Sequence, residues 1–576
     1  MVLLFDELPN EIILEIFDLL NTSDLIRSFY KLNNRIDKLI SETTINLINI
    51  DLTNFSKYQF NYCCEQIVST NYNQVRSLTL SNICTFGQIL VFTSMYDIGQ
   101  FSNLQSITLI EPEVRQYLVI IQKSPKITYL SVTLNEVDEI EEKDIGTIIL
   151  SNPLPPLLKT LKLFYNGQIS IGKLGTHFNL QYLTIIADCY FTDLFHIFDC
   201  FPCINYLEIE LIGIQSDIDT YLFTINSSTM PEHLQTLKIN NLSVNFRAIE
   251  LLLMRLNQLK ELSYRSIASE NNNDAHTDSN RWQSILSSYP LLEKFHMDII
   301  IEDNSLDICE LSSSFQTQYW LYHRWTIICE SSVNNSNVYH LYTIPYSNSI
   351  FSTSSENLQS TSVLDVSNAY DTINYLNLNL TSHWPFITRK YLNVHTLELV
   401  NTSTNLLSSS SVISYLNKTI IFSNLKHLII QNDLSVDIKF LEALLENAVN
   451  IRHLVIDLHY FLQLTSNFKN VHVNLLLQKM MLQKCQFRND YLPIDVSNDF
   501  VQIFSPSLEC LSLDIRTNYD LLVILPLILN KMTKLYSLEI NLYESLFNDT
   551  LIILSQILKH RNITKFIYPQ MIRIWK

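Results

Sequence analysis

Glycine is scarce in this sequence, with 7 among 576 residues. Phosphate-binding loops use glycine because its missing side chain lets the backbone approach a ligand closely. The scarcity therefore argues against enzymes built on such loops. The sequence also lacks His-Glu-x-x-His, Gly-x-Ser-x-Gly and Walker patterns. These absences predict a protein with no catalytic chemistry of its own and no cofactor.

Long apolar runs and secretory features are lacking as well. The longest apolar run near the end, Leu521–Leu529, contains Pro526 and is shorter than the roughly 20 residues of a membrane span. The first residues, from Met1 to Glu7, have no basic region, so no signal peptide is expected. The 10 cysteines are mostly scattered. We therefore expect a reducing compartment, cytoplasmic and/or nuclear.

Basic residues are outnumbered, with 39 Lys and Arg against 57 Asp and Glu, for a net charge of −18. Such a field repels phosphate groups, so neither nucleic acid nor a membrane is an expected partner. A basic protein segment is more compatible. The apolar fraction of 47% supplies enough material to bury. Because one core rarely grows beyond about 250–300 residues, the length predicts several domains or a repeat.

The first forty residues predict three short helices. Pro9 suits the start of a helix, and the apolar residues Ile12, Ile16, Leu19 and Leu20 then recur at helical spacing, which predicts one apolar stripe. The polar run from Asn21 to Asp24 predicts a break and a cap for the second helix. Three helices in such a short segment bury little by themselves. The segment therefore needs a partner.

This segment resembles an F-box. The opening Leu8-Pro9-Asn10-Glu11-Ile12, the later Ile16-Phe17 and the following Asp24-Leu25 carry the resemblance. It implies docking on a Skp-type adaptor, within the cullin complex of an SCF-type ubiquitin ligase. The third part, Leu32–Ile36, lacks the Cys and Trp that the family often has. A plain helical cap is the alternative interpretation. The adaptor-binding residues that the resemblance implies are Leu8, Pro9, Glu11, Ile12, Ile16, Leu19, Leu20, Asp24 and Leu25.

The rest of the chain repeats the pattern L-x-x-L-x-L, for example at Val75–Leu80, Leu104–Leu109 and Leu425–Ile430. The intervals are mostly roughly 22–33 residues, near the leucine-rich-repeat period. The end of each pattern alternates like a half-buried strand, and segments such as 440–445 are helical. The chain resembles leucine-rich-repeat F-box proteins, which implies an α/β fold: a small all-α amino-terminal F-box, then an irregular solenoid with a parallel sheet on the concave face and helices outside.

Four regions follow from these patterns: 1–42 as the F-box, 43–300 as repeats, 301–390 as an irregular or expanded section, and 391–576 as repeats. Within the irregular section, Trp320–Ile328 and Val338–Ile344 predict aromatic strands that form a hairpin. Residues 270–278 predict a solvated loop, and Ser347–Ser362 a mobile one. A break between two domains is the alternative interpretation of this section.

The third and fifth positions of each L-x-x-L-x-L unit should point out of the sheet, because the leucines point into the core. Acidic and aromatic residues at these and the following positions predict a surface for an unidentified protein substrate. Its candidate residues are Tyr182, Tyr206, Glu208, Glu210, Glu398, His427 and His453. Cys189, His196, Cys200 and Cys203 have the residue types of a zinc site, but structural cysteines are the simpler interpretation, and no metal is expected.

The resemblance and the patterns together predict a substrate-recognition adaptor of an SCF-type ubiquitin ligase, acting in ubiquitin-dependent degradation. The alternative is a non-catalytic protein-interaction scaffold that does not join a ligase.

Overall fold

The chain forms two compact units, Met1–Ile299 and Ile300–Lys576. Each unit is an α/β arrangement of mostly parallel strands and the helices between them. The computed structural model describes residues 8–20, 22–42, 49–134, 149, 154–169, 171, 176–213, 230–268, 276–302, 307–332, 338–354, 358–360, 368–380, 389–401, 407–431, 439–480, 482–559, 563–568 and 570–576.

The described helices are short, and several begin at a side-chain cap such as Ser56, Asn245 or Asp278. Their bounds are α1 Asn10–Asp18, α2 Thr22–Phe29, α3 Asn34–Glu42, α4 Lys57–Tyr62, α5 Ser69–Asn71, α6 Gln88–Met95, α7 Val114–Gln122, α8 Asp193–Cys200, α9 Phe246–Leu253, α10 Ser279–Ser287, α11 Ile308–Ser314, α12 Gln318–His323, α13 Ser409–Thr419, α14 Lys439–Asn447, α15 Leu458–Leu464, α16 Val471–Lys479, α17 Ile494–Phe504, α18 Asn518–Lys531 and α19 Asn548–Leu558.

The strands alternate buried and exposed residues along most of their length, as the sequence pattern predicts. Their bounds are β1 Asn49–Asp51, β2 Ser77–Ser81, β3 Ser106–Ile110, β4 Tyr129–Leu134, β5 Thr160–Ile169, β6 Tyr182–Tyr190, β7 Tyr206–Ile212, β8 Thr236–Asn241, β9 Glu261–Ala268, β10 Lys294–Glu302, β11 Thr326–Ser332, β12 Val338–Ile344, β13 Ile350–Ser354, β14 Leu358–Ser360, β15 Tyr375–Leu380, β16 Thr396–Asn401, β17 His427–Ile430, β18 His453–Asp457, β19 Lys484–Tyr491, β20 Cys510–Ile515, β21 Ser537–Leu542, β22 Thr564–Tyr568 and β23 Met571–Trp575.

The strands of the first unit follow one another in chain order, and each of β1 to β8 pairs in parallel with the next. The register aligns the same position of successive L-x-x-L-x-L units: Leu78 faces Ile107, which faces Leu130. Every turn of the repeat therefore adds one strand whose apolar residues enter the same buried row. The predicted repeat is confirmed at the level of strand order and register.

The second unit contains two strand groups. β11 pairs antiparallel with β12 on one side and with β14 on the other. A second sheet runs in the order β13, then β15 to β21, with parallel neighbours, and ends in the antiparallel strands β23 and β22. Leu397, Leu428 and Leu454 lie in one row of this sheet. The repeat pattern therefore sets the register here too.

The buried rows of leucine and isoleucine hold each unit together. Leu161 and Leu207 in the first unit and Leu397 and Leu428 in the second are fully buried. Burying one such side chain contributes about 1.5–3 kcal/mol, and truncating it to alanine commonly costs about 2–5 kcal/mol. One turn of the repeat cannot bury its apolar residues by itself. The stability of each unit therefore arises from the stacking of successive turns.

Two predictions for the irregular section are corrected. Trp320 lies in helix α12 rather than in a strand, because its fully buried ring packs against Phe315, with ring centroids 5.1 Å apart. Part of the segment predicted as mobile forms β13 and β14, because β15 and β11 supply backbone partners for these strands. The predicted hairpin is confirmed as β11 and β12. Most of the predicted loop 270–278 lies outside the described residues.

In the part of the chain that the structure describes, the helices are too short or too polar to cross a membrane.

Candidate partner-binding surfaces

Helices α1, α2 and α3 share a small core at the amino-terminal end of the first unit. Its buried residues include Ile13 and Phe17 from α1, Ile26 from α2 and Ile36 from α3. The rings of Phe17 and Phe29 lie 5.2 Å apart between centroids. These contacts fix the rotation of α1 about its axis, so its other face is directed outward.

The apolar stripe predicted on α1 lies mainly on the outward face of the helix. Ile12 is 41% exposed and Leu19 is 85% exposed, while Ile16 and Leu20 are half-buried. The helix buries Ile13 and Phe17 instead, and Phe17 contacts Phe29 of α2. The stripe formed by Ile12, Ile16 and Leu19 therefore remains free to contact another molecule.

Most of the nine predicted adaptor-binding residues are at least partly exposed. Pro9, Glu11 and Asp24 are exposed, and Leu8 is half-buried. Leu25 differs, because it is only 3% exposed and belongs to the core of the three helices. Its role as a contact residue stays a prediction, and its burial means that it offers little surface to a partner.

The three helices are attached firmly to one another and to the first repeat. The Arg35 guanidinium donates hydrogen bonds to the Leu8 carbonyl at 2.6 Å and to Asn10 Oδ1 at 2.8 Å through its Nε. The ring of Tyr30 stacks on that of Tyr62 with centroids 3.8 Å apart. The Thr22 hydroxyl donates to the Asn49 carbonyl at 3.2 Å. The outward stripe of α1 is thus presented in a defined orientation.

Four predicted substrate-binding residues meet on the solvent face of the first unit. Tyr182 and Tyr206 face each other on β6 and β7, with ring centroids 6.2 Å apart. The Tyr206 hydroxyl donates to Glu208 Oε2 at 2.8 Å, and Asn240 Nδ2 donates to Glu210 Oε2 at 2.7 Å. Each carboxylate accepts from a neutral donor, but Lys238 faces Glu208 in the strand register and the charge of Arg265 lowers the pKa of Glu210, so the negative charge of this face is partly offset.

Asp188 joins this surface, although it was not among the predicted residues. Burial raises the pKa of Glu210, and Asp188 raises it further, while the hydrogen bond from Asn240 opposes the shift. The signal was present in the sequence, because Asp188 lies six positions after Tyr182 and the strand alternation puts both on one face. The acidic surface is therefore larger than the motif positions indicated.

The three remaining predicted residues lie on the second unit. Glu398 accepts hydrogen bonds from Tyr375 Oη at 2.7 Å and Asn377 Nδ2 at 3.0 Å. His427 and His453 face each other on β17 and β18, with ring centroids 4.2 Å apart. Burial, together with the neighbouring His427 and Lys484, lowers the pKa of His453 to about 4. Burial also lowers the pKa of His427, so this pair is largely neutral at pH 7.

The cysteines considered as zinc ligands behave as core residues. Cys189 and Cys200 are buried and Cys203 is half-buried. Burial raises the pKa of the Cys189 thiol, which disfavours the thiolate that binds metals. Among the described residues, ligand atoms converge at a different place, formed by Glu442, Glu446 and His472.

No family model matches the chain, and no curated protein matches it. Among the solved structures that are similar to it, two have 12% sequence identity and a TM-score of 0.24. One is a complex of TLR13 with ssRNA13, where the match covers 79% of this chain and spans 58% of the length of that one. The other is the Rad7 and Elc1 complex in yeast, with 89% and 94% covered. This degree of likeness assigns neither a family nor a function.

Proposed function

We propose that this protein is a non-catalytic adaptor of an SCF-type ubiquitin ligase. Helices α1 to α3 bind a Skp-type adaptor, and the solvent faces of the repeat sheets bind a protein substrate. The ligase then transfers ubiquitin because the substrate is held near a loaded carrier enzyme, which is catalysis by proximity. The observation that carries the proposal is the exposed apolar stripe of α1, at the positions where the F-box resemblance implies adaptor contacts.

The exposed stripe supports binding of a partner because the three helices already have a buried core that does not include it. Ile13 and Phe17 are fully buried, whereas Leu19 is 85% exposed. Burying a leucine completely contributes about 1.5–3 kcal/mol, and a few well-packed anchors commonly dominate an interface. A partner that covers Ile12 and Leu19 would gain most of that free energy without changing the helices.

The test is a double substitution of exposed residues, Ile12→Asp with Leu19→Asp. We expect affinity for a purified Skp-type adaptor, measured by calorimetry, to fall at least about 30-fold, since losing two anchors costs about 2 kcal/mol or more. The matched control is Ile552→Asp on α19, where the isoleucine is also exposed, at 57%. The control should bind like the parent protein.

Circular dichroism should be the same for all three proteins, because the substituted side chains are exposed. The proposal fails if the double variant keeps the parent affinity, or if the parent does not bind the adaptor.

The alternative function, an interaction scaffold outside a ligase, is favoured by one feature: Leu32–Ile36 lacks the Cys and Trp frequent in the F-box family. A pull-down that measures adaptor and cullin together separates the two functions. Recovery of both supports the ligase subunit, and recovery of the adaptor without cullin supports the scaffold.

A further inference from the structure

Three side chains capable of binding a metal converge on the surface of the second unit. Glu442 and Glu446 lie one helical turn apart on α14, and His472 lies in the first turn of α16. His472 Nε2 is 3.4 Å from Glu442 Oε1 and 3.1 Å from Glu446 Oε1. The ligand atoms of all three residues lie within 4.8 Å of one another.

The local sequence explains why these side chains meet. Phe440, Leu441 and Leu444 of α14 are fully buried, so the glutamates four positions apart are directed to the opposite side of the helix. Asn470 caps α16 by accepting a hydrogen bond from the His472 backbone N–H at 3.1 Å. The cap fixes where α16 begins, and thereby brings His472 beside the two carboxylates.

The spacing fits a coordinated ion. Zinc binds imidazole nitrogen at roughly 2.0–2.1 Å and carboxylate oxygen at about 2.0–2.2 Å, so adjacent tetrahedral ligands lie roughly 3.3 Å apart. The two His–Glu distances, 3.4 and 3.1 Å, bracket that value. The imidazole favours a transition metal over Mg²⁺ or Ca²⁺, which prefer oxygen ligands alone.

We propose that Glu442, Glu446 and His472 form a binding site for a divalent transition-metal ion, with Zn²⁺ as the reference ion. Three protein ligands leave a fourth position for water or for a group from a bound partner. Because the ligands come from α14 and α16, the ion would join two successive connections of the repeat, which are separated by β18. Its binding would therefore stabilise the second unit by mass action.

This inference is independent of the ligase proposal, because its residues are far along the chain from α1 and its test needs no adaptor. The competing account is an ordinary surface ion pair between a protonated histidine and two glutamates. The two accounts differ in their metal stoichiometry. An ion pair forms without metal, whereas a metal-binding site binds one metal ion per chain.

The experiment is a Zn²⁺ titration of the full chain without an affinity tag, followed by calorimetry and by thermal denaturation. Cys309 is an exposed free thiol, so all proteins carry Cys309→Ser to remove a competing ligand. We expect one Zn²⁺ per chain and a rise in melting temperature. His472→Ala should weaken Zn²⁺ binding at least tenfold and abolish the rise.

The chain supplies a matched control in His459, an exposed histidine that, among the described residues, pairs with the single carboxylate of Asp490 at 3.5 Å. His459→Ala should bind Zn²⁺ like the parent protein. Substituting Glu446→Gln should reproduce the loss seen with His472→Ala. The inference is overturned if the parent binds no more Zn²⁺ than His472→Ala, or if His459→Ala loses as much as His472→Ala does.

Discussion

Deleting residues 1–42 tests whether helices α1 to α3 are a docking module or a structural cap of the repeats. A docking module can be removed with a limited loss of stability, whereas a cap cannot. The deletion removes the stacking of Tyr30 on Tyr62, the neighbouring Tyr30–Tyr58 ring pair with centroids 5.8 Å apart, and the hydrogen bond from Thr22 to Asn49. The strand pairing of β1 with β2 is left in place.

The loss can be worked out from these contacts. Two aromatic pairs contribute about 0.5–1.5 kcal/mol each, and one hydrogen bond contributes about 1 kcal/mol. The first unit should therefore lose about 2–4 kcal/mol, which lowers its melting temperature by roughly 4–16 °C for a unit of this size class. Its circular dichroism should otherwise keep the strand and helix signals of the remaining repeats.

The assays are thermal denaturation and adaptor binding on the same samples. The control is Tyr30→Ala in the full chain, which removes both ring pairs and leaves the outward stripe of α1 intact. It should reproduce part of the stability loss but still bind the adaptor, whereas the deletion should not bind. Aggregation of the deleted protein, or a melting temperature lowered far beyond this range, would refute the reasoning and identify α1 to α3 as a cap.

Two further predictions concern electrostatics. Burial, together with the charge of Arg281, lowers the pKa of His276 from 6.5 to about 4. As the pH falls, the unfolded state therefore binds a proton at this histidine before the folded state does. The free energy of unfolding of the first unit should fall by up to about 3 kcal/mol between pH 6.5 and pH 4. Urea titrations should show a weaker pH dependence for His276→Gln, and parallel profiles for the two proteins would contradict the assignment. On the sheet faces, the triple substitution Glu208→Gln, Glu210→Gln and Glu398→Gln should weaken binding of a lysine- and arginine-rich peptide at low salt, measured by fluorescence anisotropy. Parent binding should weaken as salt rises, and equal affinities of parent and triple variant would exclude these faces.

The repeat was predictable from the sequence because its signal is periodic and its energetics are local. Each L-x-x-L-x-L unit specifies its own strand, and the parallel register follows because leucines must enter one buried row. The rows through Leu130 and Leu428 show this outcome in both units. Helix α14 was predictable for the same reason, since its apolar residues recur at helical spacing.

The face of α1 was not predictable, because this helix is apolar on more than one side. Ile12, Ile13, Ile16 and Phe17 permit two different stripes at helical spacing. Tertiary contacts, including that of Phe17 with Phe29, decide which stripe is buried. Similarly, β13 has serine and threonine within it, and it forms a strand because β15 offers it a parallel partner.

The convergence of Glu442, Glu446 and His472 was beyond sequence reasoning for a different reason. The two glutamates have helical spacing that could have been noticed, but the histidine comes from α16, the second helix after the next strand. No motif spacing links His472 to Glu442, since the distance between them depends on how α14 and α16 pack. Predicting this distance requires the three-dimensional fold, because the sequence pattern does not contain it.

The acidic residues of the sheet faces have a property that net charge alone does not show. Glu208 accepts from the hydroxyls of Tyr206 and Thr184, and Glu398 accepts from Tyr375 and Asn377. A neutral donor restricts a carboxylate to one rotamer while its charge remains available to a partner. A basic segment that binds there meets carboxylates already in position, so less side-chain entropy is lost on binding than with mobile glutamates. Acids that served solubility alone would not need to be held in place, so these hydrogen bonds, seen in each unit by itself, support the proposal that a basic segment binds there.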